Sequence, residues 1–191
     1  MNLLITGGSG FVGSNLAIRF KKLYPSWTVL ALDNLKRRGS ELNVPRLRNN
    51  GVQFIHGDIR NSEDFDTIGD VDCIIDAESE PTVTEGLDSN KDYVVNTNLM
   101  GTINCLNFAV KRKAMFIFLS SSRIYPFDLL DQVKFEEKET RFEIIEDQVL
   151  PGISNKGVTL DFPLRGPKSL YGATKLSSEL LMTEYNEFLN L

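Results

Sequence analysis

The sequence predicts an α/β fold in which helices cover both faces of a doubly wound parallel sheet, giving three layers. A Gly-rich turn follows the first apolar run, and short apolar runs then alternate with helical patterns as far as residue 119. Small or polar residues follow each run. Such alternation gives right-handed crossovers and a parallel sheet, whose ligands bind beyond the carboxyl ends of the strands.

The first apolar run, residues 2–6, is typical of a strand that is buried on both faces. From Phe11 onward apolar residues recur at helical spacing, so Gly7, Gly10 and Gly13 lie on a strand-to-helix turn. Because glycine has no Cβ, a pyrophosphate can approach this backbone closely, and the helix N-terminus offers it free N–H groups.

The second apolar run, residues 28–32, ends on Asp33, whose carboxylate can accept hydrogen bonds from an adenosine ribose. A Gly-rich turn or a solvated aspartate is common on its own. Strand, turn, helix and strand-end carboxylate together favour a dinucleotide-binding unit. The basic run at residues 36–38 suits either a solvated loop or a loop that faces phosphates.

Three further strands and four helices complete the predicted domain. The strands are residues 52–55, 71–75 and 114–119; the helices are 40–47, interrupted by Pro45, then 61–68, 88–111, and one from Lys168 onward. Asp58, Ala77 and the serines at 120–122 follow strands, at the same sheet edge as the glycine turn and Asp33. This convergence predicts a single site.

The segment 126–166 differs from the rest, since it is acidic, polar and punctuated by proline and glycine. It is too long for a plain linker within a compact domain. We expect an irregular insertion, either an excursion that faces a substrate or a mobile surface insertion.

Tyr171 and Lys175 lie four residues apart, on one face of the last helix. A neighbouring ammonium group favours the ionised form of a phenol. Ser121, after the fifth strand, can hydrogen-bond the same substrate oxygen, so the three residues suit proton transfer to or from a carbinol opposite a nicotinamide. Tyr-x-x-x-Lys alone is common on surface helices, and the nucleotide-binding signature is what favours catalysis here.

These motifs together resemble the extended short-chain dehydrogenase/reductase family of nucleotide-sugar epimerases and dehydratases. They are TGGSGFVG, Asp33, Asp58-Ile59, Asn98-x-x-Gly101-Thr102, the run from Ser120 to Tyr125, and Tyr171-x-x-x-Lys175. The likeness covers the whole chain and implies a Rossmann domain over residues 1–191. It also implies NAD as cofactor, because Asp33 would repel a 2′-phosphate, although Arg37 and Arg38 follow closely.

The resemblance also implies roles for single residues. The residues implied at the pyrophosphate of the cofactor are Gly7, Gly10, Phe11, Val12 and Gly13. Asp33 is implied at the ribose, and Asp58 and Ile59 at the adenine. Asn34, Arg37 and Ala77 are expected beside them. The residues implied in catalysis are Ser121, Tyr171 as base, Lys175 as its partner, and Asn98, which holds the active-site helix and its water chain.

Within the family, dehydratases carry Asp-Glu where this chain has Ser122-Arg123, which disfavours dehydration. The long interval between Ser121 and Tyr171, with GDIRN at 57–61, is similar to CDP-tyvelose (CDP-paratose) 2-epimerases of O-antigen synthesis. Tyr171 would deprotonate a sugar hydroxyl while a hydride passes to NAD, and the keto sugar would be re-reduced on its other face. The alternatives are a UDP-sugar 4-epimerase and a catalytically inactive nucleotide-binding fragment or partner subunit.

Two departures from the family stand out. A carboxylate at Glu78, beside the pyrophosphate, would weaken cofactor binding unless it turned away or paired with a cation. The chain also ends at Leu191, where family members continue with a sixth strand and a substrate-binding region. We therefore expect the sugar pocket to need a further C-terminal half, supplied by another chain or omitted from this one.

Composition limits the remaining possibilities. The net charge of −5 over 191 residues gives no overall attraction for nucleic acid. The chain shows neither a long apolar span nor a signal peptide, so we expect no membrane partner and a cytoplasmic location. One histidine and two isolated cysteines, expected in the core, predict no metal site. The resemblance implies a homodimer or homotetramer, since in the family the Tyr-Lys helix often pairs across a dimer and its apolar positions here allow that.

Overall fold

The computed structural model describes residues 1–82 and 91–189. Its main sheet has five parallel strands in the order β3-β2-β1-β4-β5, which confirms the predicted fold class. The strands are β1 (Asn2–Thr6), β2 (Thr28–Asp33), β3 (Gln53–His56), β4 (Cys73–Asp76) and β5 (Met115–Phe118). The strand order reverses between β1 and β4, and this switch point opens a crevice at the carboxyl edge.

Helices cover both faces of this sheet. They are α1 (Phe11–Leu23), α2 (Asn43–Asn49), α3 (Lys91–Val95), α4 (Gly101–Arg112), α5 (Phe127–Leu130) and α6 (Leu170–Phe188). Leu3 and Ile5 belong to a buried cluster with Ala17 of α1, whereas Leu4 belongs to the opposite cluster with Cys105 of α4. Alternate residues of β1 therefore serve the two cores of a three-layer domain.

Both cysteines are free and buried, as expected of core residues. Cys73 lies on β4 and Cys105 on α4. Among residues 1–82 and 91–189, no group of histidine, cysteine or acidic side chains could hold a metal ion.

The helices predicted over residues 40–47 and 61–68 have different bounds or a different helix type in the structure. Pro45 does not interrupt its helix: a 3₁₀ turn at Ser40–Leu42 leads into α2, and Pro45 lies in the first turn of α2. First-turn N–H groups have no partner within the helix, so proline is tolerated there. The second predicted helix is the 3₁₀ turn Ser62–Thr67, capped by Asn61, whose side chain accepts from Glu63 N.

The long predicted helix is continuous from Lys91 to Arg112 but contains a π-helical turn at Asn96–Met100. Its expected first residues, 88–90, lie outside the described residues. The helix ends at Lys113, which has a left-handed backbone with φ of 54°. The π turn matters for the site, because it includes Asn98.

The expected irregular insertion contains short regular elements. Besides α5, it forms two antiparallel hairpins, β6 (Phe135–Glu137) with β7 (Phe142–Ile144) and β8 (Ile153–Ser154) with β9 (Gly157–Val158). Strands of two or three residues are too short to show an alternating pattern in a sequence. Phe162 anchors the segment: it is buried, and its ring meets that of Tyr125 edge-on at 5.4 Å.

β5 is an edge strand in the part of the chain that the structure describes, since it pairs there only with β4. Met115 is 65% exposed and Ile117 41% exposed. None of the described helices is both long enough and apolar enough to cross a membrane.

Candidate active site

A cavity of about 490 Å³ lies at the carboxyl edge of the sheet, where the sequence predicted a single site. The predicted site residues that line it are Gly7, Gly10, Phe11, Val12, Gly13, Asp33, Asn34, Arg37, Ala77, Tyr171 and Lys175. Ser121, Asn98, Asp58 and Ile59 are not among its lining residues. The structure therefore brings most of the predicted cofactor site together with the Tyr-Lys pair.

The glycine turn forms one part of the cavity wall. Gly7 has a φ of 61°, and a Cβ on it would lie 2.9 Å from the carbonyl oxygen of Ala77 and from the nitrogen of Glu78. A Cβ on Gly13 would lie 2.2 Å from the carbonyl oxygen of Gly7. Only glycine fits these positions, so the turn presents bare backbone to the cavity.

The residues at the start of α1 suit a bound dinucleotide. Phe11 is 85% exposed and Val12 48% exposed, although both line the cavity. The N-terminus of this thirteen-residue helix faces the same space. A cradle that any Cβ would fill, free helical N–H groups and uncovered apolar side chains together fit a pyrophosphate with its attached nucleosides.

Asp33 is held rigidly by backbone donors. One carboxylate oxygen accepts from Ser9 N at 2.9 Å and the other from Leu35 N at 2.8 Å. The side chain is 93% buried yet lines the cavity. A carboxylate has about four acceptor positions, so Asp33 keeps capacity for two hydroxyl groups of a ribose.

Asp58 lies beside the cavity in a polar network. Arg60 donates to both of its carboxylate oxygens, and the Asn34 amide donates to one at 3.1 Å. Burial opposes ionisation, but the hydrogen bonds from Arg60 and Asn34 outweigh it and lower the pKa of Asp58 to about 2. Asp58 is therefore a charged anchor for the loop after β3.

The neighbouring Ile59 has a structural side chain. It is fully buried, and a Cβ on Gly101 would lie 2.5 Å from its Cδ1 atom. Its carbonyl oxygen accepts from the Asn104 amide at 2.8 Å. Ile59 thus packs the loop against α4, and any contact with a base would involve its backbone.

Two cations flank Tyr93 at the mouth of the cavity. The Nζ atom of Lys36 lies 3.7 Å from the centroid of the Tyr93 ring, and the guanidinium of Arg60 lies 5.1 Å from it. Lys36 and Tyr93 both line the cavity. This contact could not be predicted from the sequence, because Tyr93 occupies an apolar position in a helical pattern.

The start of α6 positions Tyr171. Ser169 caps the helix by accepting from Gly172 N at 3.1 Å. A Cβ on Gly172 would lie 2.1 Å from the carbonyl oxygen of Arg123, so the helix touches the 3₁₀ turn Ser122–Ile124 that follows β5. This contact holds the start of α6, and with it Tyr171, close to the turn that follows the fifth strand.

Lys175 is a buried cation. It is only 2% exposed, donates to the carbonyl oxygen of Leu119 at 3.0 Å, and lies 4.3 Å from the centroid of the Phe118 ring. Burial lowers the pKa of Lys175, and the charges of Asp76 and Glu179 oppose that change. An ammonium group held this way is a short-range source of positive charge for the phenol one helical turn away.

Ser121 does not line the cavity, whereas Ser120 does. The Oγ atom of Ser121 accepts from Arg123 N at 3.1 Å and so caps the 3₁₀ turn. Hydroxyl groups commonly make such local bonds to the backbone. Sequence spacing could not distinguish the two serines, since they are adjacent at one strand end.

Asn98 connects two segments of the site through hydrogen bonds. Its amide accepts from Glu80 N at 2.7 Å and donates to the carbonyl oxygen of Glu80 at 3.2 Å. The carbonyl oxygen of Asn98 accepts from the Ser178 hydroxyl of α6 at 3.3 Å. Asn98 is fully buried, so it links the segment after β4 to the helix that carries Tyr171.

A buried carboxylate that the sequence analysis missed lies under the cavity. Asp76 accepts from the Thr6 hydroxyl at 2.6 Å and from the Thr102 hydroxyl at 2.8 Å. Thr6 pairs with Asp76 in the sheet register, and Thr102 belongs to α4. An aspartate that ends an apolar strand is a signal that could have identified it.

Glu78 adopts neither of the arrangements expected for it. It is buried and lines the cavity, so it does not turn away. Within residues 1–82 and 91–189 it makes no ion pair.

Comparison with known proteins agrees with the fold and with the resemblance found in the sequence. Residues 3–189 match the sequence model of the NAD dependent epimerase/dehydratase family. The chain is 32% identical to the CDP-paratose 2-epimerase of Salmonella typhi over 199 aligned residues, covering all of this chain and 54% of that protein. It is 30% identical to the low-salt glycan biosynthesis protein Agl12 of Haloferax volcanii, covering 98% of this chain and 52% of that protein.

Solved structures of similar fold include a double mutant of DesIV, a dTDP-glucose 4,6-dehydratase from Streptomyces venezuelae with NAD bound. The TM-score is 0.73 at 25% identity, and the match covers all of this chain and 53% of that one. The UDP-glucose 4-epimerase from Bifidobacterium longum, in complex with NAD⁺ and UDP, also has a TM-score of 0.73, at 20% identity over 97% of this chain and 49% of that one. The chain spans about half the length of these relatives.

Proposed function

The chain belongs to the NAD dependent epimerase/dehydratase family, and we propose that it forms the NAD-binding and proton-transferring half of a nucleotide-sugar epimerase. NAD is the cofactor of this family. One observation carries the proposal: the glycine turn and Asp33 line the same cavity as Tyr171 and Lys175. A dinucleotide held at one end of this cavity therefore has a proton-transfer pair at the other.

The protein residues divide the work of binding. The backbone of Gly7, Gly10 and Gly13 and the start of α1 would hold the pyrophosphate, and Asp33 would hold the adenosine ribose. Asn34, Arg37 and Ala77 complete the lining beside them, and the backbone after Asp58 would meet the base.

When bound, NAD supplies the centre that accepts a hydride and returns it. The Oη atom of Tyr171 takes the proton from a sugar hydroxyl and gives it back at the end of the cycle. Lys175 favours the phenolate during this exchange through its buried positive charge. Asn98 keeps α6 in register with the loop after β4, and Ser121 or Ser120 orients the sugar oxygen.

The finer proposal concerns the substrate, which we take to be a CDP-activated sugar that is inverted at carbon 2. The 32% identity to a CDP-paratose 2-epimerase over the whole chain supports this assignment. Ser122-Arg123, where dehydratases are expected to carry two acids, also favours epimerisation over dehydration. A role in O-antigen synthesis, a cytoplasmic location and a homodimer or homotetramer stay predictions.

The second candidate is a nucleotide-binding subunit without turnover of its own. The Oγ atom of Ser121 is committed to a turn, and the chain spans about half the length of its relatives. In this case further residues, from the same protein or from a partner, would complete the sugar pocket. A UDP-sugar 4-epimerase is a third candidate, supported by the fold of the Bifidobacterium longum enzyme.

The first experiment identifies the nucleotide that is released when the purified protein is denatured. We expect NAD, separated by chromatography from NADP. If no nucleotide is released and added NAD does not bind, the proposed function is wrong. Release of NADP would instead correct the assignment of Asp33 and favour a role for Arg37.

Replacement of Tyr171 by phenylalanine tests the catalytic assignment. Because the variant has no phenolic proton to exchange, we expect epimerisation to fall at least ~100-fold, while bound NAD is retained. Tyr185→Phe is the matched control, since the Tyr185 hydroxyl lies on the same helix but donates to Asn107 at 2.7 Å. Turnover is measured in the full-length protein, and a wild-type rate for Tyr171→Phe would remove Tyr171 from the mechanism.

A further inference from the structure

Glu78 forms part of the floor of the cofactor cavity. It is 8% exposed and follows directly on Asp76 and Ala77 at the end of β4. Its backbone cannot retreat from the cavity, because the glycine turn packs against it: a Cβ on Gly7 would lie 2.9 Å from both its nitrogen and its Cα atom. Glu78 therefore has to be accommodated whenever a dinucleotide binds.

The Glu78 carboxyl group is poorly supplied with donors. Its Oε1 atom lies 3.5 Å from the amide nitrogen of Asn34, at the limit of a hydrogen bond, and the same nitrogen donates to Asp58 at 3.1 Å. Its Oε2 atom is sealed from solvent and has no hydrogen-bond partner among residues 1–82 and 91–189. A buried carboxylate needs two or three good donors to remain ionised, and this one lacks them.

The charges that face Glu78 are mostly negative. They are Asp33 from β2, Asp58 from the loop after β3 and Asp76 from its own strand. Burial raises the pKa of Glu78 well above its ordinary value, the three aspartates raise it further, and the backbone N–H of Gly7 opposes them.

The remaining groups that face Glu78 do not neutralise it. Arg60 interacts with Glu78 through its charge, and its guanidinium already pairs with Asp58. Lys36, Arg37 and Lys175 line the same cavity, and among the described residues none of them forms an ion pair with Glu78. Tyr93 of α3 and Cys105 of α4 are further titratable neighbours, and burial raises the pKa of both. His56, at the end of β3, lies beyond Asn34, with Nε2 3.3 Å from the Asn34 carbonyl oxygen.

We propose that Glu78 is a cofactor-binding residue that acts as a neutral carboxylic acid, so that the dinucleotide binds the protonated form of the site. The inference rests on the proposed function and deepens it. An ionised Glu78 would place a negative charge beside the pyrophosphate, whereas the neutral acid has the shape and charge of glutamine. Binding therefore takes up a proton wherever Glu78 is ionised in the free protein.

The test compares NAD binding by wild type, Glu78→Gln and the control Glu63→Gln, whose side chain is exposed on the 3₁₀ turn after Asn61. Calorimetric titrations run from about pH 7.5 to about pH 9.5, between the ordinary pKa values of histidine and lysine. In wild type and control, Kd should rise by up to about tenfold per pH unit above the pH at which Glu78 ionises in the free protein. Glu78→Gln should not show this rise in Kd. A smaller rise in Kd that all three proteins share would report the loss of positive charge at Lys175.

A second measurement needs no variant. Titrations of the wild type in two buffers of different ionisation enthalpy report the protons taken up on binding, for which we expect a value approaching one at alkaline pH. If Glu78→Gln keeps a wild-type rise of Kd with pH, or if the wild type takes up no proton and Glu78→Gln nevertheless changes Kd, the role of Glu78 is wrong and the proposed function stands. If none of the three proteins binds NAD at any pH, both fail.

Discussion

The two halves of the cavity are built in different ways. The pyrophosphate half consists of backbone: glycines that no side chain could replace, and the N-terminus of α1. The proton-transfer half consists of side chains from one helix, and these depend on contacts with distant segments. Lys175 donates to Leu119, and Ser178 donates to Asn98, eighty residues away in the sequence.

Contacts within a short segment determine much of the geometry of the pyrophosphate half, whereas contacts between distant segments determine that of the proton-transfer half. A turn of seven residues determines much of its own geometry, because a Cβ on Gly13 would lie 2.2 Å from the carbonyl oxygen of Gly7. The Tyr-Lys half is correct only if α6 docks on the sheet and on the π turn at Asn96–Met100. We therefore expect backbone changes to damage the first half and loss of a hydrogen bond to damage the second.

The largest effect should come from Gly13→Ala. Its Cβ would lie 2.2 Å from the carbonyl oxygen of Gly7, which is backbone and cannot move aside cheaply. We expect a loss of about 3 kcal/mol in the free energy of unfolding together with loss of NAD binding. Urea denaturation and calorimetry measure these two quantities.

Gly69→Ala is the matched control for that substitution, because nothing lies within 4 Å of a Cβ on Gly69. It should leave both stability and NAD binding close to wild type. If Gly13→Ala behaved in the same way, the turn would be a loose loop, and the backbone-built half of the comparison would be wrong.

The same distinction explains what the sequence could predict of the fold. The five strands follow from apolar runs and were located to within one or two residues. Burial on both faces leaves a strong local pattern in β1, β2 and β4. The π turn and the two small hairpins left no such pattern. A π turn depends on what its side chains meet, and here Asn98 meets Glu80.

The same difference between local and long-range contacts decided which site residues the sequence could place correctly. A motif was sufficient to place Gly7 and Asp33 at the cavity, and both are among its lining residues. Ser121 and Ile59 were placed by motif too, but the structure directs one into a cap and the other into the core. Glu78 shows the limit most clearly, since its environment is assembled from the ends of three strands.

The substitution Asn98→Ala tests whether the proton-transfer half depends on side-chain hydrogen bonds between distant segments. It would leave the N–H and carbonyl groups of Glu80 without their partner, at a cost of about 2 kcal/mol. Hydrogen exchange at Glu80 should accelerate more than exchange in β1. Asn61→Ala removes an exposed helix cap instead and should cost about 1 kcal/mol, without affecting exchange at Glu80.

Lys175→Met should have the smallest effect on the free energy of unfolding, and it should raise this free energy rather than lower it. Burial lowers the pKa of Lys175 in the folded protein, so the unfolded chain binds more protons between the folded and unfolded pKa values. The wild type must therefore gain stability as pH rises through that interval and lose it as pH falls. Methionine keeps much of the length of the side chain and removes the buried charge, so the variant should be more stable at neutral pH by about 1 kcal/mol.

Stability curves at several pH values test this expectation, with Lys111→Met as control. Lys111 is an exposed residue of α4 that bonds Asp66 at the surface, so its replacement should change the free energy of unfolding little. A less stable Lys175→Met protein would mean that the Leu119 carbonyl and the Phe118 ring compensate the buried charge fully. A more stable protein that has lost epimerisation would mean that the chain keeps a costly cation in its core because the chemistry at Tyr171 requires one.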